Sequence, residues 1–359
     1  MSKMRIEYDS MGKVQVPDDV YYQAQTQRAR DNFQFSERRF PTPAILALLD
    51  IKSAAAQANS QLGLLDSAMA KAIQQAIIAA KKLDFSQHFP IDLFQTGSGT
   101  SSNMNVNEVI ASLASDILQA KVHPNDHVNM GQSSNDVVPA CIHISTVRQL
   151  KGLLYPAIKG LNDRLAFLAD EYSNTVKTGR THLMDAMPIT FGQELQCWQQ
   201  QLNSSQARIQ QVELSLHQLP LGGTAVGTGV NCDPNFAKLA CDDLQQQDKI
   251  PWQAAVMPAL YMSSQDHTLA MASALKGLAV TLLKIANDLR WMNSGPVAGL
   301  QEISLTSLQP GSSIMPGKVN PVIPEAVAMI AAEVIGNETT ITIAAQSGNF
   351  QLNVMLPLI

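Results

Sequence analysis

The chain is poor in charged residues, which make up only 15% of its 359 positions. Soluble domains usually carry roughly 25%. The difference predicts that much of the surface is buried, and other subunits are the simplest partners to cover it. The formal net charge of −5 comes without a basic run or stripe, so we expect no nucleic-acid binding.

Cysteine pairs, an N-terminal targeting signal and long apolar runs are also missing. The four cysteines form no C-x-x-C pair, which gives no support to a zinc knuckle or an iron–sulfur cluster and favours free thiols in a reducing compartment. The first residues carry acids and no apolar stretch, unlike a secretory signal. Glu, Lys, Gln or Asn interrupts every apolar run, so we expect no membrane span and a soluble, cytoplasmic protein.

What the sequence does contain is helical periodicity. Residues 5–16 alternate polar and apolar positions around Asp-Ser-Met-Gly, which predicts a small β-hairpin. Beyond it we expect negligible strand content and a mainly α fold, with helices over about 44–61, 66–82, 137–171, 191–217, 264–294 and 322–346. The last four are long, apolar and poor in charge, as is typical of a helix bundle or an oligomer core.

The loop composition of residues 121–135 divides the chain into two predicted domains. Residues 1–135 are expected to form a mostly helical N-terminal domain that includes the hairpin. Residues 136–359 are expected to form a central bundle of long helices. The chain ends in an apolar stretch with no helix cap and no polar tail, which we interpret as a truncation.

The loop at residues 311–321, GSSIMPGKVNP, has the composition of a catalytic loop. Its glycines allow backbone amides to turn toward an anion, and these amides with Lys318 could stabilise the alkoxide of Ser312 enough for it to act as a base. Asn320 adds a neutral donor for a carboxylate. A phosphate-binding P-loop does not fit, because the glycine spacing is one residue too long and Val319 replaces the magnesium-binding hydroxyl. A flexible surface linker is the plainer alternative.

Three further polar segments suit anion binding or proton transfer. Residues 96–105 and 132–136 are rich in hydroxyls and amides near helix starts, although ordinary N-caps have the same composition. His182, in the segment GRTHLMD, can titrate near neutral pH, although a histidine in a helix junction is the plainer interpretation. His123, Asp126 and His127 are too few and too close together to predict a metal site.

The glycine-rich segment GGTAVGTG at residues 222–229 does not match a dinucleotide-binding fingerprint. No strand precedes it, and Cys232 occupies the third glycine position. We interpret it as a tight turn between helices with backbone amides facing a cleft. With no metal or cofactor motif in the chain, a reaction that needs only proton transfers fits these loops best.

Six motifs, taken together, carry a family resemblance: TGSGTSSNMNVNEV, HPNDHVN, QSSND, GRTHLMDAMPITFGQE, GGTAVGTG and GSSIMPGKVNP. They resemble the class II fumarate hydratases of the aspartase/fumarase superfamily. The resemblance implies a mixed N-terminal domain, a central bundle of five long helices and a small C-terminal domain, which we expect to be absent from this chain. It also implies a homotetramer whose active sites each take loops from three subunits, and the hydration of fumarate to L-malate in the tricarboxylic acid cycle without a cofactor.

The resemblance assigns catalytic roles to four residues. Ser312 matches the base that removes the C3 proton of malate, and Lys318 matches a residue that holds the substrate carboxylate and stabilises the charge of the aci-carboxylate intermediate. His182 matches a histidine that transfers protons through a water. Glu325 matches the carboxylate that pairs with that histidine from another subunit.

Two sets of binding residues follow from the same motifs. The substrate-binding positions are Ser98, Gly99, Thr100, Ser133, Ser134, Asn135, Thr181, Ser313, Lys318, Val319 and Asn320. A second, non-catalytic dicarboxylate site at the surface comprises His123, Pro124, Asn125 and Asp126.

Two alternatives remain open at this point. Aspartate ammonia-lyases share the bundle and the catalytic loop, and PVIPE at residues 321–325 resembles them. His182, Ser134 and Gly317 favour a hydratase, because the ammonia-lyases carry glutamine, threonine and alanine there. The other alternative is a non-catalytic structural member of the superfamily.

Overall fold

Helices dominate the computed structural model, which describes residues 3–359, and the predicted mainly α fold is confirmed. In chain order the helices are α1 (Ala24–Asn32), α2 (Thr42–Gln61), α3 (Ser67–Ala80), α4 (Phe85–His88), α5 (Thr100–Leu118), α6 (Ser134–Gln149), α7 (Tyr155–Glu171), α8 (Phe191–Leu216), α9 (Phe236–Asp248), α10 (Pro258–Ser263), α11 (Asp266–Met292) and α12 (Val322–Ala345). The strands are β1 (Met4–Asp9), β2 (Gly12–Pro17), β3 (Val176–Thr181), β4 (Met184–Thr190), β5 (Gln218–Leu219), β6 (Gln253–Ala254), β7 (Gly348–Asn349) and β8 (Leu352–Asn353).

The predicted hairpin and long helices are confirmed. Strands β1 and β2 pair antiparallel. The turn between them contains Gly12, whose φ of +110° glycine adopts readily and other residues adopt only at a cost in free energy. The segment expected over 137–171 is helical throughout, with a π-helical turn at Leu150–Leu154 joining α6 to α7. Helices α8, α11 and α12 match the other three long segments within a few residues.

The expectation of negligible strand content beyond the first hairpin is wrong. Residues 176–190, which lie between the helices predicted over 137–171 and 191–217, form a second antiparallel hairpin from β3 and β4. Its two turn residues, His182 and Leu183, both have positive φ, of 56° and 61°. A two-residue turn of this kind usually carries Asn or Gly, so the sequence held no ordinary hairpin signal.

The chain forms two compact units. The first comprises the chain up to Gln149, Ser215–Thr268 and Ile341–Ile359; the second comprises Leu150–Leu214 and Leu269–Thr340. In the first unit α2 packs against α3, α6 and α9, and its apolar face is buried. The second unit contains α7, the hairpin of β3 and β4, and the segment that precedes α12. The predicted domain boundary after residue 135 follows a different division and stays a prediction.

Two helices of the described chain, α11 and α12, are long and apolar enough to cross a membrane, counting length and composition only. The expectation that polar residues leave no apolar stretch long enough to span a membrane is wrong, because isolated polar residues leave the mean hydropathy of such a helix high. The core helices of soluble proteins pass the same test, so these helices are weak support for a membrane span.

Candidate functional site

The first polar loop leads into the N-terminus of α5. Gly99 is the N-cap residue with a φ of +73°, and the hydroxyls of Ser98 and Thr100 on either side are hydrogen-bonded at 2.7 Å. The side chain of Gln95 accepts the backbone N–H of Ser102 at 2.9 Å and donates to its hydroxyl at 2.8 Å. Two half-buried hydroxyls therefore lie at a helix N-terminus, where backbone amides favour an anion.

The glycine before this helix has a steric reason. A Cβ at Gly97 would lie 1.9 Å from the carbonyl oxygen of Val354, a distance that no side chain tolerates. The carbonyl oxygen of Gly97 also accepts the backbone N–H of Leu356 at 2.9 Å. The position of the 96–100 loop is thus fixed by a close backbone approach within the first unit.

The second polar loop, residues 132–136, surrounds a fully buried carboxylate. Asp136 accepts the backbone N–H of Ser133 at 2.9 Å and that of Thr224 at 2.8 Å. Burial raises the pKa of Asp136 to about 7, against the opposing effect of these amides and of the Lys52 charge. The side chain of Asn135 donates to the carbonyl oxygen of Ala225 at 2.9 Å. The loop is therefore tied to the glycine-rich turn at 222–229.

The residues assigned to a second dicarboxylate site form a π-helical turn, Pro124–Val128. The Nδ1 atom of His123 lies 3.3 Å from the backbone nitrogen of Asn125 and 3.2 Å from that of Asp126, so the imidazole caps the turn. The backbone N–H of His123 donates to Nδ1 of His127 at 2.9 Å. Among residues 3–359, no group of three or more His, Cys, Asp and Glu side chains is placed to hold a metal ion.

In the second unit, Thr181 and His182 lie exposed at the tip of the β3–β4 hairpin. A non-glycine residue in the left-handed region costs free energy, and such strain is concentrated at functional sites. Both residues line an open cavity that also contains Lys284, Asp288 and Trp291.

Four charged side chains support this hairpin from one side. Lys177 on β3 forms ion pairs with Glu194 at 2.5 Å and Glu302 at 3.3 Å. Arg180, two residues before His182, donates to Glu302 at 2.6 Å. All four are at most about a fifth exposed. Sequence reasoning missed this cluster, because Glu302 is 120 positions away in a segment without a recognisable pattern and only folding brings it to the hairpin.

The loop at residues 311–320 is closed on itself. The backbone N–H of Gly311 donates to the carbonyl oxygen of Lys318 at 2.7 Å, and the side-chain amide of Asn320 donates to the carbonyl oxygen of Gly311 at 2.8 Å. A Cβ at Gly311 would lie 2.7 Å from the Asn320 side chain, so only glycine fits there. Gly317 has a φ of +82° and allows the reverse turn between the two ends. Hydrogen bonds between its two ends thus give this loop a defined conformation.

Within the closed loop, the Ser312 hydroxyl accepts two backbone N–H groups, from Ile314 at 3.3 Å and Met315 at 3.0 Å. Hydrogen bonds donated to an oxygen favour its deprotonated form. Ser312 is half-buried, whereas Ser313 and Lys318 are exposed.

Lys318, Val319, Asn320 and Glu325 line one cavity of the second unit, together with Arg290. Glu325 lies in the first turn of α12. Ser312 and His182 do not line this cavity, and His182 lines the separate hairpin cavity. Arg290 is a cation at the same cavity that sequence reasoning missed, because it sits in the periodic pattern of α11 with no motif around it.

Comparisons with known proteins cover the chain from end to end. A family profile described as lyase matches residues 12–336. The class II fumarate hydratase of Xylella fastidiosa is 54% identical over 99% of this chain and 76% of its own length. That of Thermus thermophilus is 46% identical over 99% of this chain and 78% of its own length. The crystal structure of class II fumarase from Schistosoma mansoni has a TM-score of 0.97 at 36% identity and covers 99% of this chain and 79% of that one.

Proposed function

We propose that this chain, which belongs to the class II fumarate hydratases, catalyses the reversible anti addition of water to fumarate. The product is L-malate, as in the tricarboxylic acid cycle. The single observation that carries the mechanism is the Ser312 hydroxyl accepting two backbone amides inside a closed loop.

In the dehydration direction, Ser312 is the base that removes the C3 proton of malate. The two amide N–H groups stabilise the alkoxide that the reaction requires, and they do so without reorganisation because the loop is closed. Negative charge then develops on the neighbouring carboxylate of the substrate. The exposed ammonium group of Lys318, six residues from Ser312, is the cation that stabilises it.

Glu325 and His182 form the proton-transfer pair, with the histidine acting through a water on the hydroxyl that leaves C2. The two residues line separate cavities of the second unit. We therefore place the pairing between subunits, with the hairpin tip of one subunit at the Glu325 cavity of another. The exposure of His182 and its strained turn support such a role.

The remaining residues bind carboxylates. Ser98, Gly99 and Thr100 offer hydroxyls and amides at the start of α5, and residues 133–135 offer hydroxyl and amide groups at the start of α6. Thr181, Ser313, Val319 and Asn320 complete the substrate site. The turn containing His123, Pro124, Asn125 and Asp126 forms the second dicarboxylate site.

A homotetramer is part of this proposal, because each active site takes its loops from three subunits. Low overall charge and the exposed apolar surface of α12 support it. We also propose a soluble enzyme of the cytoplasm, because its relatives are named class II fumarate hydratases. Neither a membrane nor nucleic acid is a proposed partner.

Fumarate absorbance tests the reaction directly. Purified protein is mixed with L-malate and, separately, with L-aspartate. We expect absorbance to rise with malate and to stay flat with aspartate. Fumarate formation from aspartate alone would identify an ammonia-lyase, and turnover of neither substrate by a tetrameric protein would identify a structural member of the superfamily.

A further inference from the structure

A lysine is completely buried in the first unit, next to the loop at residues 132–136. Lys52 lies in the middle of α2 with a relative exposure of 0%, and its ammonium group donates to Asn129 Oδ1 at 2.8 Å and to Gln132 Oε1 at 2.9 Å. Burying an ammonium group costs free energy that its hydrogen bonds and any opposite charge must offset, and replacing a whole buried ion pair with apolar residues is often neutral or stabilising. A lysine at this place therefore points to a role other than stability.

The ammonium group decides which way two side-chain amides face. Ammonium has donors only, so both amide oxygens must turn toward Lys52 and both NH2 groups must turn away. The NH2 group of Asn129 then donates to the carbonyl oxygen of Gln132 at 3.2 Å. The NH2 group of Gln132 donates to the carbonyl oxygens of Val128 and Met130, each at 3.1 Å. These bonds fold the backbone immediately before Ser133.

A second path leads from the same lysine to Ser134. Asn129 Oδ1 also lies within hydrogen-bond distance of the side-chain amides of Asn103, at 3.3 Å, and Asn107, at 3.1 Å. Asn103 in turn donates to the hydroxyl of Ser134 at 3.0 Å. The orientation of this buried hydroxyl therefore depends on an amide that shares an acceptor with Lys52.

On its other side the loop is held by the buried Asp136, through the backbone N–H of Ser133. Burial lowers the pKa of Lys52 to about 7, and the negative charge of Asp136 opposes that shift. The corresponding charge of Lys52 opposes the upward shift of the Asp136 pKa. Two buried charges of opposite sign thus favour each other's ionised form around one substrate-binding loop.

We propose that Lys52 is a positioning residue for the dicarboxylate subsite at residues 133–135, acting through the side-chain amides of Asn129 and Gln132. The proposal rests on the proposed function in one respect, since it takes this loop to hold a carboxylate of fumarate. Lys52 touches no substrate. It sets the conformation in which the loop offers its hydroxyls and amides.

The first test is Lys52→Met, which keeps the length of the side chain and removes the ammonium group. Losing one oriented contact to the substrate corresponds to a KM for fumarate about tenfold higher, with kcat changed less than KM. Hydrogen–deuterium exchange of residues 128–136 should accelerate. The matched control is Lys81→Met. It breaks an ion pair with Asp50, which lies on the same helix as Lys52, and should leave KM and the exchange of residues 128–136 unchanged.

A second variant covers the case in which Lys52→Met does not fold. Asn129→Asp gives Lys52 a carboxylate partner, so the charge of Lys52 stays compensated. The substitution also removes the NH2 group of Asn129 that donates to the carbonyl oxygen of Gln132. It should fold, raise KM and accelerate exchange at residues 128–136.

The outcomes separate the two proposals. An active wild type whose folded variants keep the wild-type KM and exchange overturns the role of Lys52. A wild type that does not turn over fumarate overturns the proposed function, and the exchange measurement alone then decides whether Lys52 orders the loop.

Discussion

At the scale of single residues, the chemistry depends on backbone conformation as much as on side-chain identity. Ser312 accepts two amide N–H groups because Gly311 lets the backbone pass against Asn320. His182 reaches the hairpin tip with a positive φ that a histidine adopts at a cost. Neither feature is a property of serine or histidine alone. Each exists because neighbouring groups hold the backbone in place.

Substitution of the proposed base tests this interpretation. Ser312→Ala should lower kcat by at least about a hundredfold, the lower range for the loss of a general base. The hydroxyl is half-buried and accepts only two loop amides, so unfolding free energy should fall by no more than about 1 kcal/mol. Steady-state kinetics and thermal unfolding measure the two effects, with Ser347→Ala as a control at another half-buried serine. Near-normal kcat in the Ser312 variant would refute the base assignment.

At the scale of elements, the helices follow from sequence and the second hairpin does not. Helix α3 begins at Ser67 because the side chain of Asp66 accepts the N–H groups of Ala68 and Met69. Aspartate is a common N-cap residue, so such a helix start depends on local sequence. Strands β3 and β4 have no such signal, because their turn residues are His182 and Leu183. Their support comes from Lys177, Arg180, Glu194 and Glu302, and only the fold brings these residues together.

The charged cluster under the hairpin gives an element-scale prediction. Glu302→Gln keeps the shape of the side chain but leaves Lys177 and Arg180 without their shared carboxylate. Removing one partner of a mostly buried charge cluster destabilises it, and a misplaced catalytic group costs activity. We expect kcat/KM for malate to fall about tenfold or more, together with the midpoint of thermal unfolding.

The control for this prediction is Glu171→Gln, an exposed glutamate at the end of α7. It makes the same chemical change without touching the cluster, so it should leave both measurements unchanged. Wild-type kcat/KM in the Glu302 variant would show that the cluster does not position His182.

At the scale of the whole molecule, α12 is apolar and yet little covered within one chain. Only 11% of its most apolar window is buried, and Met329 and Ile330 are 69% and 61% exposed. Exposed apolar surface of this extent marks an interaction site. The homotetramer is the partner that we propose for it.

A charge on this helix should therefore break assembly. Met329→Glu would bury an unpaired carboxylate between subunits, which costs several kcal/mol. We expect smaller particles by sedimentation velocity and a parallel loss of malate turnover, because in the proposed tetramer each active site takes loops from several subunits. Met11→Glu, at a methionine of the first hairpin turn that is 79% exposed, should change neither. A Met329 variant with wild-type sedimentation would place the subunit interface elsewhere.

The sequence by itself determined the helices, the first hairpin, the family and the loops on which we place catalysis, because these depend on periodicity and on motifs within a few residues. Tertiary structure alone decided the second hairpin and the orientation of the 132–136 loop by Lys52. Each of these depends on groups that are distant in sequence or on positive φ angles in residues that rarely adopt them. Such contacts are set when the chain packs, and no local pattern encodes them.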